Sequence, residues 1–222
     1  MKNYIITISR EYGSGGRDVG KILADDLGLP YFDKEILHLA AEKSGMGLDF
    51  IEKSEERVPS KLLLNLHRLS LLAPISRVPS GFNSYAALSP AHASHDSEKL
   101  YHLQSSVIKE IAESGGCVIV GRCASHVLRD YPNLLSVFIR SHPEDRVQRA
   151  IETYDRPQKN AANDLRRIDK HRANHYELFT GRKWGAVDNY DLVVNTSYTG
   201  IHGAVDVIKT MVATQSNNEN LQ

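Results

Sequence analysis

A glycine-rich turn, Gly13-Ser14-Gly15-Gly16-Arg17, stands between an apolar run, Tyr4-Ile5-Ile6-Thr7-Ile8, and an amphipathic stretch over residues 19–27. The apolar run predicts a buried strand, and Val19, Ile22, Leu23 and Leu27 fall on one helical face. A strand passing through glycines into a helix start can aim backbone amides at an anion. The helix N-terminus adds unpaired N–H groups and a favourable dipole. The expected ligand therefore carries phosphate, although a glycine turn can also serve only as a tight connection.

The turn departs from the phosphate-loop pattern G-x-x-x-x-G-K-[ST]. Aligned on Gly16, it has Glu11 in place of the first glycine, Arg17 in place of lysine and Asp18 in place of serine or threonine. Arg17 can still hold phosphate oxygens, through a planar fork rather than a point charge. Asp18 could ligate a metal but would also repel phosphates.

A chain of 222 residues can bury one substantial core. Lys plus Arg and Asp plus Glu both number 27, so no global basic field draws a nucleic acid polymer, and any anion site must be local. Cys117 and Cys123 flank an expected buried strand and suggest a reduced compartment more than a disulfide scaffold. Without a signal peptide, and with Asn65 and Arg68 interrupting the leucine-rich stretch at 62–73, the expectation is a soluble cytoplasmic protein with no membrane partner.

Apolar runs at 4–9, 30–32, 117–120, 134–139 and 191–195 alternate with helical periodicity, which predicts an α/β fold with a mostly parallel sheet covered by helices. Leu100, Leu103, Val107 and Ile111 share one helical face, as do Ile201, Ala204, Val205 and Ile208. Ser141 and Glu144 have capping-box spacing, so a helix carrying Arg146 and Arg149 on one face should start there. Two segments break the alternation. Residues 58–95 read as an insertion, a leucine-rich helix followed by a long loop, and residues 154–163 as a lid hinge or a plain surface loop. The polar tail at 215–222 is expected to be disordered.

The run from Ile8 through Arg17, then Leu27-Gly28-Leu29-Pro30-Tyr31-Phe32-Asp33-Lys34-Glu35, resembles the opening of the cytidylate kinase-like family. The similarity extends through Val120-Gly121-Arg122, through Asp169-Lys170-His171-Arg172-Ala173-Asn174-His175-Tyr176, and through Tyr190-Asp191-Leu192-Val193-Val194-Asn195-Thr196. It covers most of the chain except 58–95. It implies a single three-layer P-loop kinase domain over 1–222 with a five-stranded sheet. The core would comprise 1–57, 96–150 and 177–214, with a helical monophosphate-binding insertion at 58–95, a lid at 151–176 and a tail at 215–222. The implied activity is phosphate transfer from ATP, with Mg2+, to a nucleoside monophosphate, CMP or dCMP being the first expectation. Another small acceptor, or a nucleotide-binding module without kinase activity, is the alternative.

Phosphoryl transfer requires in-line positioning, neutralised charge and excluded water, which calls for cations from separate parts of the chain. The resemblance implies that Arg17 and the turn residues Gly13, Ser14, Gly15 and Gly16 face the donor, with Asp18 the candidate metal ligand. Arg122 matches the Gly-Arg that holds the acceptor in cytidylate kinases, where an Asp follows; here Cys123 follows. Asp33 matches an acceptor-holding Asp, or it is an N-cap for a helix beginning at Lys34. Arg146 and Arg149 match arginines around the transferring phosphate, or form a solvated helix face. Asp169 and Arg172 match the lid's Asp-x-x-Arg, or form an i,i+3 ion pair. His92, His95 and His102 offer only weak metal spacing, Ser9 and Ser14 have no recognisable His and Asp partners, and Trp184 packs a lid or fills a core gap. Leu62, Leu66 and Leu69 could pack internally or against a second subunit, and oligomeric state is not legible.

Overall fold

A computed structural model describes residues 4–45 and 90–219. Five strands, β1 (Ile5–Arg10), β2 (Tyr31–Phe32), β3 (Cys117–Val120), β4 (Leu134–Arg140) and β5 (Leu192–Asn195), form one sheet in the order β2-β3-β1-β4-β5. Every pairing is parallel, so the sheet is wholly rather than mostly parallel. The described helices are α1 (Gly16–Leu27), α2 (Glu35–Ser44), α3 (Pro90–Glu113), α4 (Ala124–Val127), α5 (Pro143–Glu152), α6 (Ala161–Thr180) and α7 (Thr196–Glu219).

Alternation along the strands assigns the two faces. Ile6, Ile8, Val118, Val120, Val137, Ile139 and Val194 meet Val19 and Leu23 of α1 and Ala204, Val205 and Ile208 of α7. Their neighbours Ile5, Cys117 and Ile119 point the other way, onto Ile36 of α2, Val107 and Ile108 of α3, and Val127 of α4. Strands covered on both faces need apolar side chains at nearly every position, which is why they read as continuous runs. Helices on both faces make three layers. β1 lies between β3 and β4, so the crevice at its C-terminal end is the topological switch point where open α/β sheets bind ligands.

Several local expectations are corrected. β1 extends one residue further than expected, and Arg10 joins the ladder opposite Ile139. The capping box at Ser141 does not form: His142 is the N-cap, Pro143 takes the first helical position, and the Ser141 hydroxyl bonds that of Ser197. Proline's preset φ suits that position and moves the helix start by one residue. Residues 90–95, expected as loop, begin α3, and residues 215–219, expected as disordered tail, continue α7. Leu62, Leu66, Leu69 and the insertion up to residue 89 lie outside the described residues.

α1 lies close against the sheet at Gly20, where an added Cβ would meet Val120 at 3.0 Å and Ile8 at 3.1 Å. This contact sets the height of the glycine turn above β1. Gly20→Phe should cost about 1–3 kcal/mol by overpacking, against a helix-propensity gain of about 0.5 kcal/mol. The check is the denaturant midpoint; a midpoint at or above that of the unaltered chain would show that α1 has room to move.

Candidate active site

The first intrahelical bond of α1 runs from the Val19 amide to the Gly15 carbonyl at 3.0 Å. The amides of Gly16, Arg17 and Asp18 therefore precede the helical ladder and open from the N-terminus. Gly15, the N-cap, is left-handed at φ 78°. The Ser14 hydroxyl is buried and donates to the Glu11 carbonyl at 2.9 Å, while the Ser14 carbonyl accepts from Thr196 Oγ1 at 2.8 Å. Ser14 thus braces the turn. A cavity of about 340 Å3 lies over it, walled by Gly13, Gly15, Gly16, Arg17, Lys34, Tyr154, Arg156 and Arg172, among others.

Arg146 organises the back of this turn. Its Nε donates to the Tyr12 carbonyl at 2.7 Å, Nη1 lies 3.5 Å from Glu11 Oε1, and Nη2 pairs with Asp169 Oδ2. Asp169 also accepts from the Tyr12 amide at 2.8 Å, and Glu11 accepts from the Ser141 amide at 3.1 Å. Glu11, which stands where the consensus has glycine, is thus one carboxylate of a half-buried brace. With only 8% of its surface exposed, Arg146 does not belong to a solvated helix face. Gly13 makes the approach possible: its φ is +78° and an added Cβ would lie 2.6 Å from the Arg146 carbonyl. Arg149 donates to the Gly13 carbonyl at 2.6 Å, with its guanidinium beside Gly15. Asp169 and Arg172 are 3.9 Å apart, a looser contact than either makes elsewhere.

A second cavity, of about 300 Å3, adjoins the first at the C-terminal end of the sheet. Arg10, Arg17, Lys34 and Arg172 line both; Asp33, Arg122, Cys123, His175, Tyr176 and Trp184 line only the second. Asp33 is buried, with Oδ2 accepting from Arg17 Nε at 2.7 Å and Oδ1 lying 3.6 Å from Arg10 Nη2. It caps no helix, because α2 starts at Glu35 with Lys34 as its N-cap. Burial opposes the charge on Arg17, but attraction and the hydrogen bond from Asp33 leave its pKa raised. Burial and then Arg10 pull Arg122 down to about 10 and Arg172 down to about 9. Arg10 is itself lowered, chiefly by burial. Guanidinium groups stay protonated at neutral pH. The depression reflects burial first and neighbouring positive charge second, which is the setting an anion relieves.

Gly121, Arg122 and Cys123 are three consecutive left-handed residues after β3, at φ 79°, 56° and 53°. Such conformations cost energy outside glycine and cluster where a side chain must be aimed. They direct Cys123 at His175, with Sγ 3.5 Å from Nδ1. Burial pushes the Cys123 thiol up to about 12 and draws His175 down to about 4, so the pair is neutral rather than a thiolate and an imidazolium. A nucleophilic cysteine needs the opposite shift. Trp184 packs edge-on against Phe138 and forms part of the cavity wall.

Asp18 lies on the first turn of α1, outside the lining of both cavities, and accepts from the Tyr154 hydroxyl at 3.5 Å. It makes no arginine ion pair among the described residues, unlike Glu11, Asp33 and Asp169. No group of three metal-ligating side chains occurs among them either. Magnesium at phosphates needs only one or two protein carboxylates, so one half-exposed Asp18 beside the turn suits it. Sequence reasoning missed Arg10, Lys34, Arg156, His175 and Tyr176 as cavity residues. The strand-end position of Arg10 and the helical spacing that puts His171, Arg172 and His175 close together were the available signals.

The strand order and the cradle at the switch point define a P-loop kinase fold. The profile of the cytidylate kinase-like family matches residues 5–198, and the chain belongs to that family. No protein of curated function matches the sequence. Among solved structures, an uncharacterized protein from Eubacterium ventriosum is similar at 26% identity and TM-score 0.67, over 96% of this chain and 99% of that one. Shikimate kinase from Acinetobacter baumannii, in complex with shikimate, is 15% identical at TM-score 0.51, over 96% and 94% of the two chains. Shikimate kinase from Bacteroides thetaiotaomicron is 13% identical at TM-score 0.50, over 95% and 98%. At these identities the shikimate kinases share the fold alone.

Two outcomes are expected. Tripolyphosphate at 100 times its Kd should add about 2.7 kcal/mol, raising Tm by about 5–10 °C; an unchanged Tm at millimolar concentrations would remove the anion site. His175 has a folded pKa of about 4 against about 6.5 unfolded, so its contribution is complete above 6.5 and lost as pH falls toward 4. Tm measured across that window should fall in the unaltered chain and fall less in His175→Gln. Parallel slopes would exclude His175 as the cause.

Proposed function

We propose that this protein is an ATP-dependent nucleoside monophosphate kinase, with CMP or dCMP as the first acceptors to test. The observation that carries the reading is the pair of adjoining cavities, one over the glycine turn and one over the end of β3, that share Arg10, Arg17, Lys34 and Arg172. A donor triphosphate on the turn and an acceptor phosphate beside Arg122 would meet between these cations. Positioning and charge neutralisation are most of what such a transfer requires.

The turn amides would hold the donor phosphates, with Arg149 and Arg146 fixing the turn from behind. Arg122 and Arg172 would hold the acceptor phosphate, and Asp33 would orient Arg17 and Arg10 toward it. Asp18 would hold Mg2+, which would supply positive charge to neutralise the donor phosphates. The 153–160 connection would act as a lid hinge: Arg156 already donates to the Tyr12 hydroxyl at 3.1 Å, and Tyr154 packs on the Tyr12 ring at 5.7 Å. Closing it would exclude water from the transfer. No described helix is long and apolar enough to cross a membrane, and a small-molecule substrate suits open cavities of about 300 and 340 Å3.

One observation favours a second acceptor class. Cytidylate kinases have an Asp where this chain has Cys123, and the neutral Cys123 and His175 pair offers no carboxylate at that point. Another small phosphate or hydroxyl compound on the same fold is therefore the alternative. ADP release from ATP and Mg2+ with a panel of nucleoside monophosphates, against a no-acceptor control, tests the choice. Acceptor-dependent turnover is expected, with Arg122→Ala lowering kcat/KM at least tenfold, as for a charged hydrogen bond worth about 1.5–3 kcal/mol. Turnover only with a non-nucleotide acceptor would establish the alternative. ATP binding without transfer to any acceptor would make the protein a nucleotide-binding module.

A further inference from the structure

The consensus turn carries a lysine on the first turn of its helix. Here that turn reads Gly16-Arg17-Asp18, and Arg17 is spent on Asp33 with about half of its side chain exposed. The space near Gly16 is nevertheless filled by a cation. A Cβ added at Gly16 would lie 2.6 Å from Arg10 Cβ and 3.1 Å from Arg10 Cγ, so the stem of Arg10 runs where a larger first-turn residue would stand. Its far end reaches the end of β3, with Nη1 occupying the place of a Cβ at Gly121. Nη2 lies 3.6 Å from Asp33 Oδ1, an oxygen that makes no hydrogen bond among the described residues. Two glycines on different elements thus leave a channel for one arginine, and that arginine lines both cavities. Arg172 Nη1 donates to the Arg10 carbonyl at 3.1 Å and fixes its backbone.

We propose that Arg10 is the cation that contacts the transferred phosphoryl group, reaching it from the end of β1 through the space that Gly16 and Gly121 leave. The proposal rests on the monophosphate-kinase reading above. In the step, an oxygen of the acceptor monophosphate bonds to Pγ of ATP, the bond from Pγ to the β–γ bridging oxygen breaks, and the electron pair remains on that oxygen as ADP departs. Arg10 exchanges no proton; it stabilises charge on the equatorial oxygens of the moving group. A buried, pre-aimed guanidinium does this without reorganising at the moment of transfer. Asp33 faces it through charge at 3.6 Å rather than a hydrogen bond, so contact with the phosphoryl group breaks no bond between the two.

The test is steady-state kinetics on the full chain with whichever monophosphate the acceptor panel identifies. Arg10→Met should lower kcat about 100-fold or more, with KM for ATP and acceptor changed less than about fivefold, the pattern of an interaction made in the transition state. Arg10→Lys, which restores the charge, should recover at least tenfold of that loss. If Arg10→Met does not fold, Arg10→Gln replaces it with the same thresholds, because it keeps a polar head and loses only the charge. A neutral variant whose kcat stays within threefold, or that raises only KM, overturns the proposal while leaving the kinase reading intact. Absence of turnover with every monophosphate in the unaltered chain overturns the monophosphate-kinase reading and this proposal with it.

Discussion

The glycine turn keeps its shape because Arg146 grips it from behind. One guanidinium holds the Tyr12 carbonyl, Glu11 and Asp169, and Asp169 returns a bond to the Tyr12 amide. The turn at the end of β1 is therefore joined to both α5 and α6, the helices on either side of the 153–160 connection. Breaking one member of such a half-buried network leaves a charge without its partners and destabilises the turn. The brace also explains a departure from the common pattern. Glu11 replaces a glycine because a carboxylate is needed there to complete the network, and Gly13 supplies the close approach instead.

With the turn held in this way, the opposite side of the site is dominated by positive charge. Arg10, Arg17, Arg122 and Arg172 converge on a region with one buried carboxylate, Asp33. Crowding cations in a poorly solvated cleft is unfavourable for the protein alone, and burial with mutual repulsion draws Arg122 and Arg172 well below their ordinary range. A phosphate-bearing ligand reverses the sign of that interaction. The same charge that costs stability in the free protein is available to bind and stabilise a polyanion. The far wall has a different character. Cys123, His175, Tyr176 and Trp184 are uncharged, so the cavity has a charged end and a neutral end, which fits an acceptor with one anionic and one uncharged part.

Much of the fold was legible in the chain. Apolar runs of strand length, alternating with helical periodicity, gave all five strands to within a residue or two. The buried faces of α1, α3 and α7 matched the expected Val19 and Leu23, Leu100 and Val107, and Ala204, Val205 and Ile208. Burial on both sides of a parallel sheet is recorded in every strand residue, which makes the pattern strong. The start of α5 was legible but its cap was not, because Pro143 and Ser197, a distant residue, decided what Ser141 would bond.

The site divides along the same line. Sequence alone determined the glycine turn, the positions of the strands along the chain and the supply of arginines, since these depend on local backbone preference and short-range periodicity. Only tertiary structure decided which arginines face a cavity and which are tied to carboxylates. Arg146 finds Tyr12 across 134 residues, the Tyr12 amide finds Asp169 across 157, and Thr196 reaches Ser14 across 182. Partners so far apart leave no periodic trace in the chain. Arg10 shows this most clearly: in sequence it is one polar residue after an apolar run, and its reach between Gly16 and Gly121 exists only once β1, α1 and β3 have packed together.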